Sequence, residues 1–144
     1  MHYSSLTQHT TRAEMLRERD AHDGARTDRK ILLAEDDPAV RSLLARVLRS
    51  RGYTVVEAAN GAEALVVAEA NPLPFQLLLT DVVMPRLNGH ELATRLLRDG
   101  YVHRVIFMTG YADVLLDLDQ AVTVLRKPFT PATLTEAVRV ALEQ

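Results

Sequence analysis

After an initial polar stretch, short apolar runs alternate along the chain with longer segments whose apolar residues recur every three or four positions. The short runs "ILLA", "YTVVEA", "FQLLLT", "RVIFM" and "VTVLR" are typical of strands that are covered on both faces. The longer segments have the spacing of amphipathic helices, as in the set Val40, Leu43, Leu44, Val47 and Leu48. The pattern therefore predicts five units, each a strand followed by a helix.

Polar residues, prolines and a glycine mark the predicted ends of these helices. Asp37 and Pro38 form a good N-cap and first helical residue, and Thr130 with Pro131 repeats the pair before the last helix. The first helix is expected to end at Gly52. The fourth helix, in "DVLLDLDQ", is expected to be short, because the segment between the fourth and fifth strands has room for only about two turns.

Strict alternation of strands and helices implies a parallel sheet with right-handed crossovers and helices on both faces. Ligands bind such sheets outside the carboxyl ends of the strands, so the residues that follow each strand are the candidate site. They are Glu35 and Asp36 after the first strand, Asp81 after the third, Thr109 after the fourth and Lys127 after the fifth. One such residue is often only a cap or a turn, whereas four strand ends with complementary chemistry indicate a site.

The residue types at these strand ends suit phosphoryl chemistry. Clustered carboxylates repel one another, and Mg²⁺ with its oxygen ligands removes that repulsion and leaves positions for phosphate oxygens. Lys127 can neutralise a phosphoryl oxygen, and Thr109 can donate a hydrogen bond to another. A carboxylate beside Mg²⁺ can attack phosphorus, and Asp81 is the best candidate because its strand is predicted to be central.

A simpler interpretation of the acidic run is a solvated helix N-terminus, where the helix dipole favours carboxylates. This interpretation accounts for Asp37, which is the predicted cap. It accounts less well for Glu35 and Asp36, which precede the cap.

The composition narrows the class of protein further. A chain of 144 residues with net charge −2 fits one domain with a tail and has no bulk attraction for nucleic acid or an anionic membrane. No apolar run approaches the roughly 20 residues of a spanning helix, and the polar N-terminus is not a secretory signal. The absence of cysteine excludes thiolate chemistry. We therefore expect a cytoplasmic protein.

Residues 1–29 differ in composition from the rest of the chain. They are polar and rich in Ser, Thr, Arg and Asp, and the segment "TRAEMLRERDA" contains only Met15 and Leu16 as large apolar residues. A mobile, partly helical tail is the simpler hypothesis, and a docking or dimerising helix is the alternative. The globular domain is predicted to span residues 30–144.

Four segments, "ILLAEDDPAVR", "LLLTDVVMPRLNG", "FMTGYAD" and "LRKPF", together resemble the motifs of response-regulator receiver domains of two-component signalling. The resemblance covers about residues 29–144, with all motifs in order. It implies a flavodoxin-like (βα)5 fold with strand order 2-1-3-4-5. The Mg²⁺ ligands implied by it are Glu35, Asp36, Asp81 and the backbone carbonyl of Val83.

The same resemblance assigns roles in phosphotransfer. Asp81 would be the phosphoacceptor, Lys127 would contact the phosphoryl group and Thr109 would be the switch hydroxyl. The donor would be a phosphohistidine on a histidine kinase or histidine phosphotransfer protein, and the receiver would catalyse transfer to its own Asp rather than act as an enzyme on a separate substrate. A cis bond between Lys127 and Pro128 is also implied.

The sequence departs from the family pattern at one position of the expected switch. The fifth-strand position that is commonly aromatic, three residues before Lys127, is Val124. We hypothesise that Tyr111, two residues after Thr109, partly replaces the missing aromatic residue. In the family that the chain resembles, the side chains two residues after the phosphoacceptor and two after the switch Thr influence attack by water. Here these residues are Val83 and Tyr111, which are neither acids nor amides. Little would therefore position an attacking water, and we predict slow autodephosphorylation.

Three other classes of protein fit less well. An aspartyl-phosphate phosphatase would need a second Asp where Val83 stands, and a flavodoxin-like cofactor binder would need a Gly-, Ser- or Thr-rich loop in place of "EDDP". A pseudo-receiver would lack Asp81 or Lys127, and both are present.

The last predicted helix reaches the C-terminus, so we expect no output domain and no direct DNA binding. The phosphorylated domain would then switch a protein–protein interaction, with a weak homodimer left open. An intermediate phosphate-relay receiver, or a fragment of a hybrid histidine kinase, is the alternative.

Overall fold

The computed structural model describes residues 29–110 and 121–143. Within these residues the elements are, in chain order, β1 (Lys30–Ala34), α1 (Pro38–Ser50), β2 (Thr54–Ala58), α2 (Gly61–Ala70), β3 (Phe75–Asp81), α3 (Gly89–Arg98), β4 (Val102–Thr109), β5 (Val122–Arg126) and α4 (Pro131–Glu143). The short helix predicted in "DVLLDLDQ" lies outside the described residues. No helix of the described segments is both long enough and apolar enough to cross a bilayer.

The five strands form one parallel sheet in the order β2-β1-β3-β4-β5, as predicted. Asp81 at the end of β3 pairs with Met108 of β4, and Thr109 at the end of β4 pairs with Arg126 of β5. On the other side of β3, Thr80 pairs with Ala34, the last residue of β1. This register brings the carboxyl ends of β1, β3, β4 and β5 to one edge of the sheet.

A hydrophobic core lies on each face of the sheet, because successive strand side chains point to opposite sides. On one face, Ile31 and Leu33 of β1 pack with buried residues of α1 and α4. On the other face, Leu32 and Ala34 pack with buried residues of α2 and α3. Each fully buried aliphatic side chain contributes roughly 1.5–3 kcal/mol relative to exposure, so both layers of helices hold the sheet and its polar edge in place.

Side-chain caps begin the helices that follow β1, β2 and β3. The Asp37 carboxylate accepts hydrogen bonds from the backbone N–H groups of Ala39 and Val40, at 2.9 and 3.2 Å, as predicted for a cap. Asn60 and Asn88 cap α2 and α3 in the same way. These caps fix where each chain segment turns away from the sheet edge.

The apolar face predicted for α1 is wrong at one residue. The side chain of Leu43 is 52% exposed, whereas Leu44, Ala45 and Leu48 are buried. The buried stripe is centred on Leu44 and Leu48, and the small side chain of Ala45 lets the helix approach the sheet. Leu43 lies about 100° around the helix from Leu44, on the side away from Ala45, and therefore points to solvent.

The loop between β3 and α3 folds back onto the end of β3. The Gly89 N–H donates to the Val82 carbonyl at 2.8 Å, and a Cβ at Gly89 would overlap with the Asp81 carbonyl oxygen. Only glycine allows this approach. In the same loop, Arg86 has a φ of 75°, the left-handed region in which a side chain is strained.

We predict that Arg86→Gly is more stable than Arg86→Ala, in contrast to the usual order of the two residues. Both variants lose the same side chain, but only alanine retains the left-handed strain, so the difference in free energy of unfolding should be about 1 kcal/mol. Urea denaturation of the two variants measures it. An alanine variant as stable as the glycine variant, or more stable, would contradict the strain.

Candidate functional site

Three carboxylates meet at the edge where the strands end, and we call Glu35, Asp36 and Asp81 the acidic cluster. One side-chain oxygen from each lies within 4.8 Å of the others. Glu35 and Asp81 are 2% and 5% exposed, whereas Asp36 is exposed. Because β1 and β3 are neighbours in the sheet, residues that are far apart in sequence arrive side by side. The sequence prediction of an acidic cluster at this edge is confirmed.

Lys127 supplies the positive charge of this edge. Its Nζ lies 2.6 Å from Asp81 Oδ1 and 3.6 Å from Glu35 Oε2. The backbone N–H of Lys127 donates to the Thr109 carbonyl at 2.9 Å, which ties the end of β5 to the end of β4. The Lys127–Pro128 bond is cis, as the family resemblance implied.

A cavity of about 450 Å³ opens over the acidic cluster. It is lined by Glu35, Asp36, Asp81, Val83, Met108, Thr109, Gly110 and Lys127. Thr109 is 5% exposed, whereas Val83 at the rim is 75% exposed. The fold therefore brings together the residues that the sequence assigned to phosphotransfer and to the metal.

Val124, one of the residues assigned to an unusual switch, is not part of this cavity lining. Val124 lies in β5, where it pairs with Phe107 of β4 and packs, partly buried, against the core under α2 and α3. Tyr111 lies outside the described residues. The switch role of both residues stays a prediction.

Burial and charge strongly perturb the protonation of Glu35. Removal from water and the neighbouring Asp81 carboxylate raise the pKa of Glu35 to about 8, although the Asp37 N–H, which donates to Glu35 Oε1 at 3.1 Å, opposes the shift. Without a cation in the cavity, Glu35 therefore retains a proton at neutral pH.

The ammonium of Lys127 is stabilised in its charged form. Partial burial lowers the pKa of Lys127, but the hydrogen bond and the negative charge of Asp81 outweigh burial and raise it. Lys127 therefore stays positively charged beside Asp81 at neutral pH.

The acidic cluster fits a hard divalent cation. Glu35 Oε2 is buried and accepts no hydrogen bond from the described residues, so one carboxylate oxygen of the acidic cluster has no donor. All three side chains offer carboxylate oxygens, the ligands that Mg²⁺ prefers. A cation here would also offset the repulsion from Asp81, which adds to the effect of burial on the Glu35 pKa.

Sequence reasoning missed several residues that shape the site. Met108 and Gly110 flank Thr109 and line the cavity, and their place beside a strand-end residue was the available signal. Gly89, which packs on the Asp81 carbonyl, is not among the residues predicted from the sequence to belong to the site. Its position after the capping residue Asn88 was the signal for a close approach.

The fold and the site define the class of protein, and the family comparison agrees. A doubly wound parallel sheet with an acidic cluster and a lysine at its carboxyl edge is the arrangement implied by the receiver motifs. The family model described as "Response regulator receiver domain" matches residues 31–139. The chain belongs to this family, and it is a phosphoacceptor receiver domain of two-component signalling.

Individual relatives are similar over most of this chain. The response regulator receiver protein CpdR of Brucella abortus is 42% identical over 105 residues, which are 70% of this chain and 86% of CpdR. The crystal structure of the receiver domain from the hybrid histidine kinase CckA is 44% identical, with a TM-score of 0.67 and coverage of 78% of this chain and 98% of that one.

A third match contains a metal. The structure of TrrA from Thermotoga maritima in complex with Mg²⁺ and BeF is 30% identical and has a TM-score of 0.67. The match covers 78% of this chain and 98% of that one. Several other curated relatives are longer proteins, and this chain spans 12% of one and 52% of another.

The raised pKa of Glu35 predicts how stability depends on pH in the absence of divalent cations. The ordinary pKa of 4.5 applies to the unfolded chain and about 8 to the folded one, so the Glu35 contribution is full below 4.5 and declines as the pH rises to about 8. Glu35→Gln should therefore gain stability relative to the wild type as the pH rises.

Urea denaturation in EDTA at pH 5 and pH 8 measures this dependence. Glu69→Gln, which changes an exposed residue of α2, is the matched control and should show no pH-dependent difference. A Glu35→Gln gain that is equal at both pH values would contradict the raised pKa.

Proposed function

We propose that Asp81 accepts a phosphoryl group from a phosphohistidine of a histidine kinase or histidine phosphotransfer protein. The observation that carries this proposal is the buried Asp81 carboxylate, held 2.6 Å from Lys127 Nζ and within the acidic cluster. In these surroundings the carboxylate has a fixed orientation, lies close to the ammonium of Lys127 and faces the cavity. Family membership supports the donor class.

The transfer is a displacement at phosphorus. An Asp81 carboxylate oxygen forms a bond to phosphorus while the phosphorus–nitrogen bond of the phosphohistidine breaks. The electron pair of that bond stays on the imidazole nitrogen, which then takes a proton from solvent. The products are an aspartyl phosphate and a neutral histidine, and the receiver itself supplies the catalytic groups.

Lys127 and Thr109 act on the phosphoryl group. Once Asp81 is phosphorylated, Lys127 exchanges its contact with Asp81 Oδ1 for a contact with a phosphoryl oxygen. Its positive charge then neutralises that oxygen. Thr109, at the cavity edge of β4, donates its hydroxyl hydrogen to a second oxygen. Movement of Thr109 toward the phosphoryl group would begin the switch, with Tyr111 and Val124 at the positions that respond.

The residues that would hold Mg²⁺ are Glu35, Asp36, Asp81 and the backbone carbonyl of Val83. Bound Mg²⁺ supplies neutralisation of the negative charge that the carboxylates and the phosphoryl oxygens bring together. The buried, donor-free oxygen of Glu35 supports this ligand set.

The output of this chain is proposed to be a change in binding to a downstream protein. We propose that residues 30–144 form the receiver domain and residues 1–29 a separate tail. An intermediate step in a phosphate relay, or a place within a hybrid kinase, is the second candidate, and it is favoured by the similarity to the receiver of CckA, a hybrid histidine kinase.

We predict that Asp81→Asn abolishes phosphorylation by acetyl phosphate and Mg²⁺, because the amide cannot attack phosphorus. Asp99→Asn, at the exposed end of α3, is the matched control and should be phosphorylated like the wild type. Circular dichroism checks that both variants are folded. Incorporation of phosphate that survives Asp81→Asn would overturn the assignment.

We also predict that the aspartyl phosphate is long-lived, because the exposed Val83 cannot position water for attack on phosphorus. Val83→Asn should shorten the half-life of the phosphorylated form several-fold. Val66→Asn, which changes another exposed valine, on α2, should leave the half-life unchanged. A wild-type half-life no longer than that of Val83→Asn would count against the proposal.

A further inference from the structure

Arg41, on α1, contacts the backbone on both sides of Asp36. Its guanidinium Nη1 donates to the Glu35 carbonyl oxygen at 2.8 Å, and its own backbone N–H donates to the Asp37 carbonyl oxygen at 2.8 Å. We propose that Arg41 is a positioning residue, which holds Asp36 in the orientation that binds the metal. This inference rests on the proposed metal site.

Asp36 needs such support because its own side chain is exposed. The neighbouring Glu35 is fixed by burial, by its N–H bond to the Ala58 carbonyl at 3.1 Å and by the bond that its carboxylate accepts from the Asp37 N–H. The direction of the Asp36 side chain therefore depends on the conformation of the backbone turn at residues 35–37. Arg41 is the side chain of α1 that closes this turn.

The guanidinium of Arg41 is itself oriented by β2. Its Nε lies 3.5 Å from Glu57 Oε1, and Arg49 Nη1 lies 3.2 Å from the other oxygen of Glu57. Arg49 therefore shares the carboxylate partner of Arg41, but its second bond is to the Val55 carbonyl at 2.8 Å and not to the acidic turn. This difference makes Arg49 a matched control for Arg41.

A positioning role and simple electrostatics predict opposite changes in Mg²⁺ affinity when Arg41 is replaced. Removing a cation near the acidic cluster would by itself strengthen Mg²⁺ binding, because it removes a repulsion between like charges. Releasing the turn would weaken Mg²⁺ binding, because residues that orient a metal ligand are typically worth 10- to 100-fold in affinity. The direction of the change therefore tests the role.

The experiment is calorimetric titration of Mg²⁺ into the wild type, Arg41→Met, Arg41→Lys and Arg49→Met. Methionine keeps an unbranched apolar stem and removes every donor. Arg41→Met should bind Mg²⁺ about tenfold more weakly, and Arg41→Lys, which retains a donor, should recover part of the loss. Arg49→Met should bind as tightly as the wild type or more tightly.

A second readout separates positioning from catalysis. The Mg²⁺ concentration that half-saturates phosphorylation by acetyl phosphate should rise by the same factor in Arg41→Met, whereas the rate at saturating Mg²⁺ stays near the wild-type rate. Unfolding in urea with EDTA measures the stability of both methionine variants, and Mg²⁺ binding measured well below each unfolding midpoint excludes instability as the cause of a change in Arg41→Met.

Unchanged or tighter Mg²⁺ binding by Arg41→Met would overturn the inference, as would equal weakening in Arg49→Met. If Arg41→Met does not fold, Arg41→Gln, which also removes the positive charge and is too short to place a donor at the position of Nη1, should weaken Mg²⁺ binding, and unchanged or tighter binding there would overturn the inference as well. A wild type that binds no Mg²⁺ would instead overturn the proposed metal site itself.

Discussion

The contact between Lys127 Nζ and Asp81 Oδ1, at 2.6 Å, is the interaction on which the site depends. Two nearly buried carboxylates, Glu35 and Asp81, face one ammonium, and burying unpaired charge is costly. The protein responds in two ways: Lys127 stays charged beside Asp81, and the pKa of Glu35 rises to about 8. What remains is an edge that is ready for a further cation and for a phosphoryl group.

The fold makes this arrangement available because a parallel sheet collects the ends of its strands. Glu35, Asp81, Thr109 and Lys127 each follow a different strand, and the order of the strands places them side by side. Helices on both faces cover the strands, and the carboxyl edge is where these four side chains meet around a cavity. The stability of the two cores thus maintains an unfavourable concentration of charge at the edge.

Much of this arrangement could be predicted from the sequence. Strand alternation gave the parallel sheet, and the strand ends gave the residues of the acidic cluster, because both depend on local patterns. Burial could not be predicted in this way. Glu35 and Asp36 are adjacent carboxylates, yet one is buried against β2 and β3 while the other is exposed, and only the tertiary packing distinguishes them.

The remaining differences also arise from tertiary contacts. The exposure of Leu43 depends on how α1 is rotated against the sheet, which its apolar spacing does not specify. The link from Arg41 to the Glu35 carbonyl depends on a helix returning over the turn that precedes it. Gly89 is required by the approach of a loop to Asp81, which no property of glycine alone reveals.

If the phosphoryl group resides on Asp81, chemical location of the modified residue will find it there. Phosphorylated protein can be reduced with borohydride, which converts an aspartyl phosphate to homoserine, and the peptides can then be sequenced by mass spectrometry. We expect homoserine at position 81 and unmodified side chains at Glu35 and Asp36. Reduction at any other carboxylate, with Asp81 intact, would contradict it.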